Sequence, residues 1–319
     1  MSQEPEHRTN EQYHRPVMVA ESMEGLRIRP EGTYVDVTFG GGGHSRALLE
    51  RLGAEGRLYA FDQDADALAN AIDDPRFCLI HENFKHLKNF LRLYGVRRVD
   101  GVLADLGVSS HQFDVAERGF STRLDGPLDL RMDRRQGGTA ADLVNGCDEA
   151  ELARLLTLYG ELPNAKALAH AIVTARGAAP IETTGALRTA VSRHLPHGHE
   201  NKWLAMIFQA LRIEVNGELE ALQMMLRQAA EVLVPGGRLC VMSYHSLEDR
   251  LVKNFMRAGN FEGKVEQDFY GNVVAPLRPV VRKAITATDE EVALNSRARS
   301  AKLRVAEKEG ERRGTGTTE

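Results

Sequence analysis

Four consecutive glycines, Gly40 to Gly43, stand between the apolar run Tyr34-Val-Asp-Val-Thr-Phe39 and a helix start at His44-Ser45. A strand feeding a glycine turn and then a helix is a place to bind a cofactor. Backbone without side chains can press against a ligand while the first helical amides stay free to donate hydrogen bonds. Twenty residues after Gly42, the apolar run Arg57-Leu-Tyr-Ala-Phe61 ends in Asp62, where a carboxylate can hold two ribose hydroxyls. Two cofactor classes fit. The dinucleotide fingerprint G-x-G-x-x-G is met at Gly40 and Gly42 but broken at Ser45. An S-adenosylmethionine site reads as an acid followed by glycines at alternate positions, and Asp36, Gly40 and Gly42 keep that spacing with Thr38 in the first glycine position.

A second acid, Asp105, ends the apolar run Val102-Leu-Ala-Asp105 and is followed by Gly107. In an open α/β sheet that end faces the ligand crevice, so Asp105 can accept a hydrogen bond from an exocyclic amine or from the cofactor; it can equally be a turn aspartate. Ser243-Tyr-His-Ser246 ends a later strand with its polar groups toward the same crevice. A nucleophilic Ser-His pair is not supported, because the G-x-S-x-G elbow is absent, and Ser246 with Asp249 also reads as a helix capping box. His194, His197 and His199 have no nearby acid but Glu200 and read as surface residues; no metal site is expected. The segment 119–133 is dense in Arg and Asp and too weakly periodic for a buried element. It reads as a solvated loop, or as one that orders around an anionic substrate or over the cofactor.

The elements that must position these groups alternate. Strands are predicted over 34–37, 57–61, 77–81 and 99–106, and helices over 45–52, 65–72 and 87–94, the pattern of a parallel sheet covered by helices. From 107 to 208 no apolar strand is convincing, and helices are predicted over 149–159, 165–175 and 184–194, so this stretch reads as a helical insertion placed over the crevice. Leu211, Val215, Leu219, Leu222, Leu226 and Leu233 mark one buried face of a long helix that Pro235-Gly-Gly stops. A strand over 238–243, a helix over 246–256 and late runs at 280–286 and 301–306 complete the sheet with an antiparallel edge. The chain of 319 residues is 42% hydrophobic and 27% charged, with no apolar run of membrane-spanning length and no leader-like N-terminus, so the cytoplasm is the expected compartment. Cys78, Cys147 and Cys240 are far apart and read as core residues. The net charge of −4 hides the basic run Arg297, Arg299, Lys302, Arg304, a candidate phosphate contact.

Several segments together resemble the bacterial small-subunit ribosomal RNA cytosine N4-methyltransferase family: Thr38-Phe-Gly-Gly-Gly-Gly-His-Ser-Arg46, Asp105-Leu-Gly-Val-Ser-Ser110, Arg118-Gly-Phe-Ser121, Asp125-Gly-Pro-Leu-Asp-Leu-Arg-Met-Asp133, Phe208-Gln-Ala-Leu-Arg-Ile-Glu-Val-Asn216, Pro235-Gly-Gly-Arg-Leu239, His245-Ser-Leu-Glu-Asp-Arg250 and Ser296-Arg-Ala-Arg-Ser-Ala-Lys-Leu-Arg304. The chain departs from the family pattern at His111, where proline is usual, and over 200–207. The resemblance implies a Rossmann-like class I methyltransferase sheet, an α/β fold, with an inserted mainly helical domain. It places the S-adenosylmethionine-binding domain at 12–110 and 209–308, the inserted substrate-recognition domain at 111–208, and flexible tails at 1–11 and 309–319. It further implies methyl transfer from S-adenosylmethionine to the N4 amine of one cytidine of 16S rRNA near the decoding centre, with the small ribosomal subunit as partner. Carried over residue by residue, the cofactor contacts fall on Gly42, Gly43, His44, Asp62, Phe84, Asp105 and Gln112, with Asp62 on the ribose, Phe84 against adenine and Asp105 also the catalytic acid group. The alternatives are a non-catalytic RNA-binding assembly factor and an NAD-dependent oxidoreductase. Oligomeric state is not legible.

Overall fold

A computed structural model describes residues 16–310, so the tails expected at 1–11 and 309–319 lie outside the described residues except for 309 and 310. Strand and helix alternate from the start: α1 (Val19–Leu26), β1 (Thr33–Asp36), α2 (Gly43–Leu49), β2 (Arg57–Phe61), β3 (Phe77–Ile80), α3 (Leu87–Leu93) and β4 (Val99–Asp105). A run of helices follows: α4 (Ser110–Asp114), α5 (Ala140–Gly146), α6 (Glu149–Leu158), α7 (Ala165–Ala178), α8 (Thr184–Val191), α9 (Glu200–Asn216) and α10 (Glu218–Val232). The chain ends in β5 (Leu233–Ser243), α11 (Ser246–Ala258), β6 (Leu277–Pro279), β7 (Ile285–Thr286), α12 (Asp289–Leu294) and β8 (Lys302–Lys308). Two compact units divide it. One holds the described residues through Asp62, Asp66–Gly107 and everything from Gln223; the other holds Gln63–Ala65 and Val108–Leu222.

The first unit is built on one sheet, which among the described residues runs β3-β2-β1-β4-β5-β8-β6 with β7 also paired to β8. β1 to β5 are parallel and β8 is antiparallel to its neighbours, so the sheet is the expected parallel one with a late antiparallel edge. The order reverses between β1 and β4, and in such sheets ligands bind outside the carboxyl ends of those strands. Parallel strands are covered on both faces, so they read as continuous apolar runs: Leu58, Ala60, Phe61, Val102, Leu103 and Ala104 have no exposed surface. Leu26, Tyr34, Leu48, Leu103, Cys240, Met242 and Leu303 fill the core on one side. Tyr34 lies so close over β4 that a Cβ at position 101 would meet its ring at 2.8 Å, which is why a glycine interrupts that strand.

The second unit is helical and has its own core, including Leu152, Leu156, Leu168, Ile172, Leu187, Val191, Ile207 and Leu211. The segment read as a solvated loop is a correction: Phe120, Leu128, Leu130 and Met132 are buried in that core, because an irregular segment can plug apolar side chains without any helical or strand period. Three further expectations change. Residues 65–72 form a 3-10 helix (Ala65–Asn70) and not an α-helix. The helix expected through 211–233 is two helices, broken at Gly217, whose φ of 58° is the left-handed cap that glycine adopts without penalty. Pro235-Gly-Gly does not precede a strand but lies inside β5 as an irregularity, exposed at Pro235 and Gly236, where the pairing to β4 shifts register between Val99 and Gly101. Of the basic run, Arg297 and Arg299 sit in a 3-10 helix (Ser296–Ser300) and only Lys302 and Arg304 in the strand. Among the described residues no helix is long and apolar enough to cross a membrane.

Candidate active site

The chain leaves β1 through Phe39, whose amide donates to the Phe61 carbonyl at 2.9 Å, and the turn closes when the Gly42 amide donates to the Phe39 carbonyl at 2.8 Å. Gly42 then caps α2 with φ 77°, a conformation other residues reach only at a cost. The inner side of the turn is packed: a Cβ at position 42 would meet the Phe39 ring at 3.0 Å, and one at 43 would meet Pro16 at 2.6 Å. Its outer side is open, since a Cβ at position 40 or 41 would meet nothing within 4 Å. That asymmetry makes an open cradle.

Acids hold the cradle from two directions. Asp62, at the carboxyl end of β2, accepts the Gly40 amide on Oδ2 at 2.7 Å. Asp36 is buried and serves as a brace, accepting the Ser45 hydroxyl on Oδ2 at 2.7 Å and the Thr38 amide on Oδ1 at 3.1 Å. Thr38 passes the connection on, its hydroxyl oxygen accepting the Asp105 amide at 2.6 Å. Phe84 is half-buried just past β3, opening a 3-10 turn (Phe84–His86) capped by Asn83.

Asp105 is the centre of this network. Its Oδ1 accepts the Tyr244 hydroxyl at 2.6 Å, and its Oδ2 lies 3.7 Å from His44 Nδ1, with 23% of the side chain exposed. Burial pushes the Asp105 carboxyl above the usual carboxylate range; His44 and the Tyr244 hydrogen bond pull it back, and Asp36 and Glu248 push it further up. Burial and the adjoining Asp105 charge likewise raise Tyr244, so its hydroxyl stays protonated and donating. His44 Nε2 lies 2.9 Å from the Val17 carbonyl, which can only accept, so that nitrogen carries a hydrogen. A neutral His44 therefore turns a lone pair toward Asp105, and the two attract only when one proton sits on the ring or on the carboxyl.

The structure thus brings Gly42, Gly43, His44, Asp62 and Asp105 into one bonded neighbourhood, and Phe84 follows the adjoining strand. Gln112 belongs to the helical unit. There it is buried, completes the capping box of α4 with Ser109, and donates to Asp64 Oδ2 at 2.6 Å. Asp64 also receives Arg118, at 2.7 Å on Oδ2 and 3.0 Å on Oδ1, and Arg118 is buried while donating to the Arg131 and Met132 carbonyls. Sequence reasoning missed this cluster, and missed Tyr244 as the partner of Asp105; the polar group Ser243-Tyr-His at a strand end was the only local signal. The helix cap there is His245, whose Nδ1 accepts the Glu248 amide, and not Ser246, because the helix begins one residue earlier than the capping-box reading required.

A family model described as the MraW methylase family matches residues 11–309. The chain belongs to the MraW methylase family. It is 60% identical over 297 residues to a protein of Parabacteroides distasonis named ribosomal RNA small subunit methyltransferase H, covering 93% of this chain and 97% of that one. A Flavobacterium johnsoniae protein of the same name is 56% identical over 300 residues, covering 94% and 99%. As an MraW methylase the chain is an enzyme, which sets aside the oxidoreductase and the non-catalytic factor.

Proposed function

We propose that this methylase transfers a methyl group from S-adenosylmethionine to the exocyclic N4 of a cytidine in 16S rRNA, near the decoding centre of the small ribosomal subunit in the cytoplasm. The names of its relatives support the substrate. The observation that carries the chemistry is Asp105: a carboxylate at the carboxyl end of β4, pushed toward protonation and set against His44 and Tyr244 beside the glycine turn.

The residues present suit the cofactor. Gly40 and Gly41 leave room for it, the turn backbone with Gly43 and His44 would offer amides to its methionine part, Asp62 would meet its ribose and Phe84 its adenine. S-adenosylmethionine supplies a methyl carbon on a cationic sulfur, which keeps the bonding electron pair as the methyl leaves. Cytosine N4 is a weak nucleophile because its lone pair is drawn into the ring. Asp105 accepts a hydrogen bond from the amine, concentrates electron density on nitrogen, and takes the proton that N4 sheds once the new C–N bond has formed. The raised proton affinity of Asp105 suits that uptake. Tyr244 holds Oδ1 so that Oδ2 is the oxygen left to work. The target base must leave its stack, a cost of roughly a few kcal/mol that irregular RNA lowers.

The test is transfer of labelled methyl from S-adenosylmethionine to small subunits lacking this modification, with the 16S product digested and sequenced by mass spectrometry. N4-methylcytidine at one position is the expected result. Label appearing on another atom, or none at all with cofactor bound, overturns the reading.

A further inference from the structure

The sheet unit carries two large aromatic side chains in solvent, Phe269 at 98% exposure and Tyr270 at 85%. They stand at the turn of a short hairpin. Its arms are joined by the antiparallel bridge Gln267–Val273 and by the Val274 amide donating to the Glu266 carbonyl at 2.8 Å. The turn is held firmly: the Asp268 amide donates to the Asn272 carbonyl at 2.9 Å, the Gly271 amide to the Asp268 carbonyl at 3.0 Å, and Asp268 Oδ1 accepts the Tyr270 and Asn272 amides, both at 2.9 Å. The two rings meet edge to face, with centroids 5.6 Å apart. Two rings kept in water by an ordered turn, when folding normally hides such groups, mark a recognition surface.

The charge of the chain that follows them says what they recognise. From Phe269 through Thr288 the chain contains Arg278, Arg282 and Lys283 and no acid. All three cations are exposed, and Arg278 lies on β6 at the sheet edge, directly after the hairpin. Lys302 and Arg304, by contrast, are both tied to Asp249, at 3.4 and 2.6 Å, and are already spoken for inside the fold. The first arm adds Lys264 along with Glu262 and Glu266, so the cations with no acid among them are those of the second arm and the segment after it. Aromatic faces beside a cationic strip are how proteins hold unpaired nucleic acid, with bases stacked on rings and phosphates met by Lys and Arg. An acyl-chain anchor fits less well, because the same turn carries the Asp268 carboxylate.

We propose that this hairpin is an RNA-holding element, Phe269 and Tyr270 stacking on unpaired bases of the substrate while Arg278, Arg282 and Lys283 meet its phosphates. The inference rests on the ribosomal RNA reading given above and adds to it a contact surface outside the methyl-transfer site.

The closing experiment has two arms on the full-length protein. In the first, F269S/Y270S and R282E/K283E are compared with the starting protein for methylation of small subunits; melting temperature and S-adenosylmethionine affinity serve as controls that these exposed changes leave fixed. KM for the subunit is expected to rise about 10-fold or more as stacking is lost, with kcat unchanged, and F269Y/Y270F, which keeps both rings, is expected to restore it. In the second arm, p-benzoylphenylalanine replaces Phe269 and the protein is irradiated with small subunits. An adduct on 16S RNA supports the proposal. An adduct on a ribosomal protein only, binding to anionic phospholipid vesicles in place of RNA, or an unchanged KM in F269S/Y270S overturns it. Absence of N4-methylation by the unaltered protein strikes the parent reading, whereas the cross-link decides the hairpin whether or not methyl transfer occurs.

Discussion

Two buried ionic clusters behave in opposite ways. In the helical unit, Asp64 takes both Arg118 and Gln112, and the guanidinium spends its remaining reach on the Arg131 and Met132 carbonyls. Charge is matched by charge, and a side-chain amide and two carbonyls add hydrogen bonds to the pair. In the sheet unit, Asp105 has a hydroxyl on one oxygen and, 3.7 Å from the other, a ring nitrogen that attracts it only if a proton is present. Burial, with the negative charge of Asp36 and Glu248 added to it, holds the carboxyl above its usual range. A cluster whose charges are paired stabilises; an acid held above its usual range is, on the function proposed above, suited to accept a proton from a substrate. On that proposal the contrast separates residues that build this enzyme from those that operate it.

The largest effect expected is on turnover. Asp105→Asn keeps the shape of the side chain but removes its capacity to accept a proton, so single-turnover methylation should fall by about 10²- to 10⁴-fold. Stability should move the other way. A carboxyl whose folded pKa is raised favours the fold while protonated, below the ordinary carboxylate range, and loses that contribution as pH rises through the raised value. Calorimetric melting of Asp105→Asn should therefore be less sensitive to pH across that window and no lower than the starting protein at neutrality. If the variant melts lower and still turns over, the contrast drawn above is wrong. Arg118→Met tests its other half. Leaving Asp64 buried without its cation should cost about 3 to 5 kcal/mol, read by urea unfolding, because removing one partner strands the other.

Local pattern carried most of the sheet. The glycine turn, the four early strands and Asp105 at a strand end were legible because parallel strands are short apolar runs and each such signal lies within a few residues. What was not legible is long-range. Tyr244 and Asp105 are 139 positions apart, and Arg118 and Asp64 are 54 apart, so neither pair has a spacing to read. The break at Gly217 was hidden for a different reason: the apolar residues on both sides keep the helical period, and only the left-handed φ reveals the cap. The segment 119–133 was misread because burial there follows from what the helices leave open and not from any period in its own sequence.

Tyr244→Phe makes a smaller change at the same acid. The hydroxyl stabilises the charged form of Asp105, so its loss should raise the Asp105 pKa still further and shift the rising limb of the pH–rate profile upward. A hydrogen bond to a charged group contributes roughly 1.5 to 3 kcal/mol, which sets the loss in kcat/KM at about 10- to 100-fold. A profile that keeps its inflection while the rate drops would mean that Tyr244 acts through packing alone.

The mildest change is also the most discriminating about the cradle. Gly41 is exposed, lies beside open space and, unlike Gly42, has no left-handed backbone to strain, so Gly41→Ala should leave the melting temperature unaltered. Gly42→Ala must distort the turn and push on the Phe39 ring, at a cost of about 1 to 2 kcal/mol in stability. Cofactor affinity separates two explanations of the glycine run. If the turn needs glycine only for its own geometry, titration calorimetry will show Gly41→Ala binding S-adenosylmethionine normally. If the open side is where the ligand rests, the added methyl should cost on the order of 10-fold in affinity, about 1.4 kcal/mol, with no change in stability. Space that folding leaves empty and binding fills is what distinguishes a site from a tight turn, and a single methyl group placed there is the smallest probe that can tell them apart.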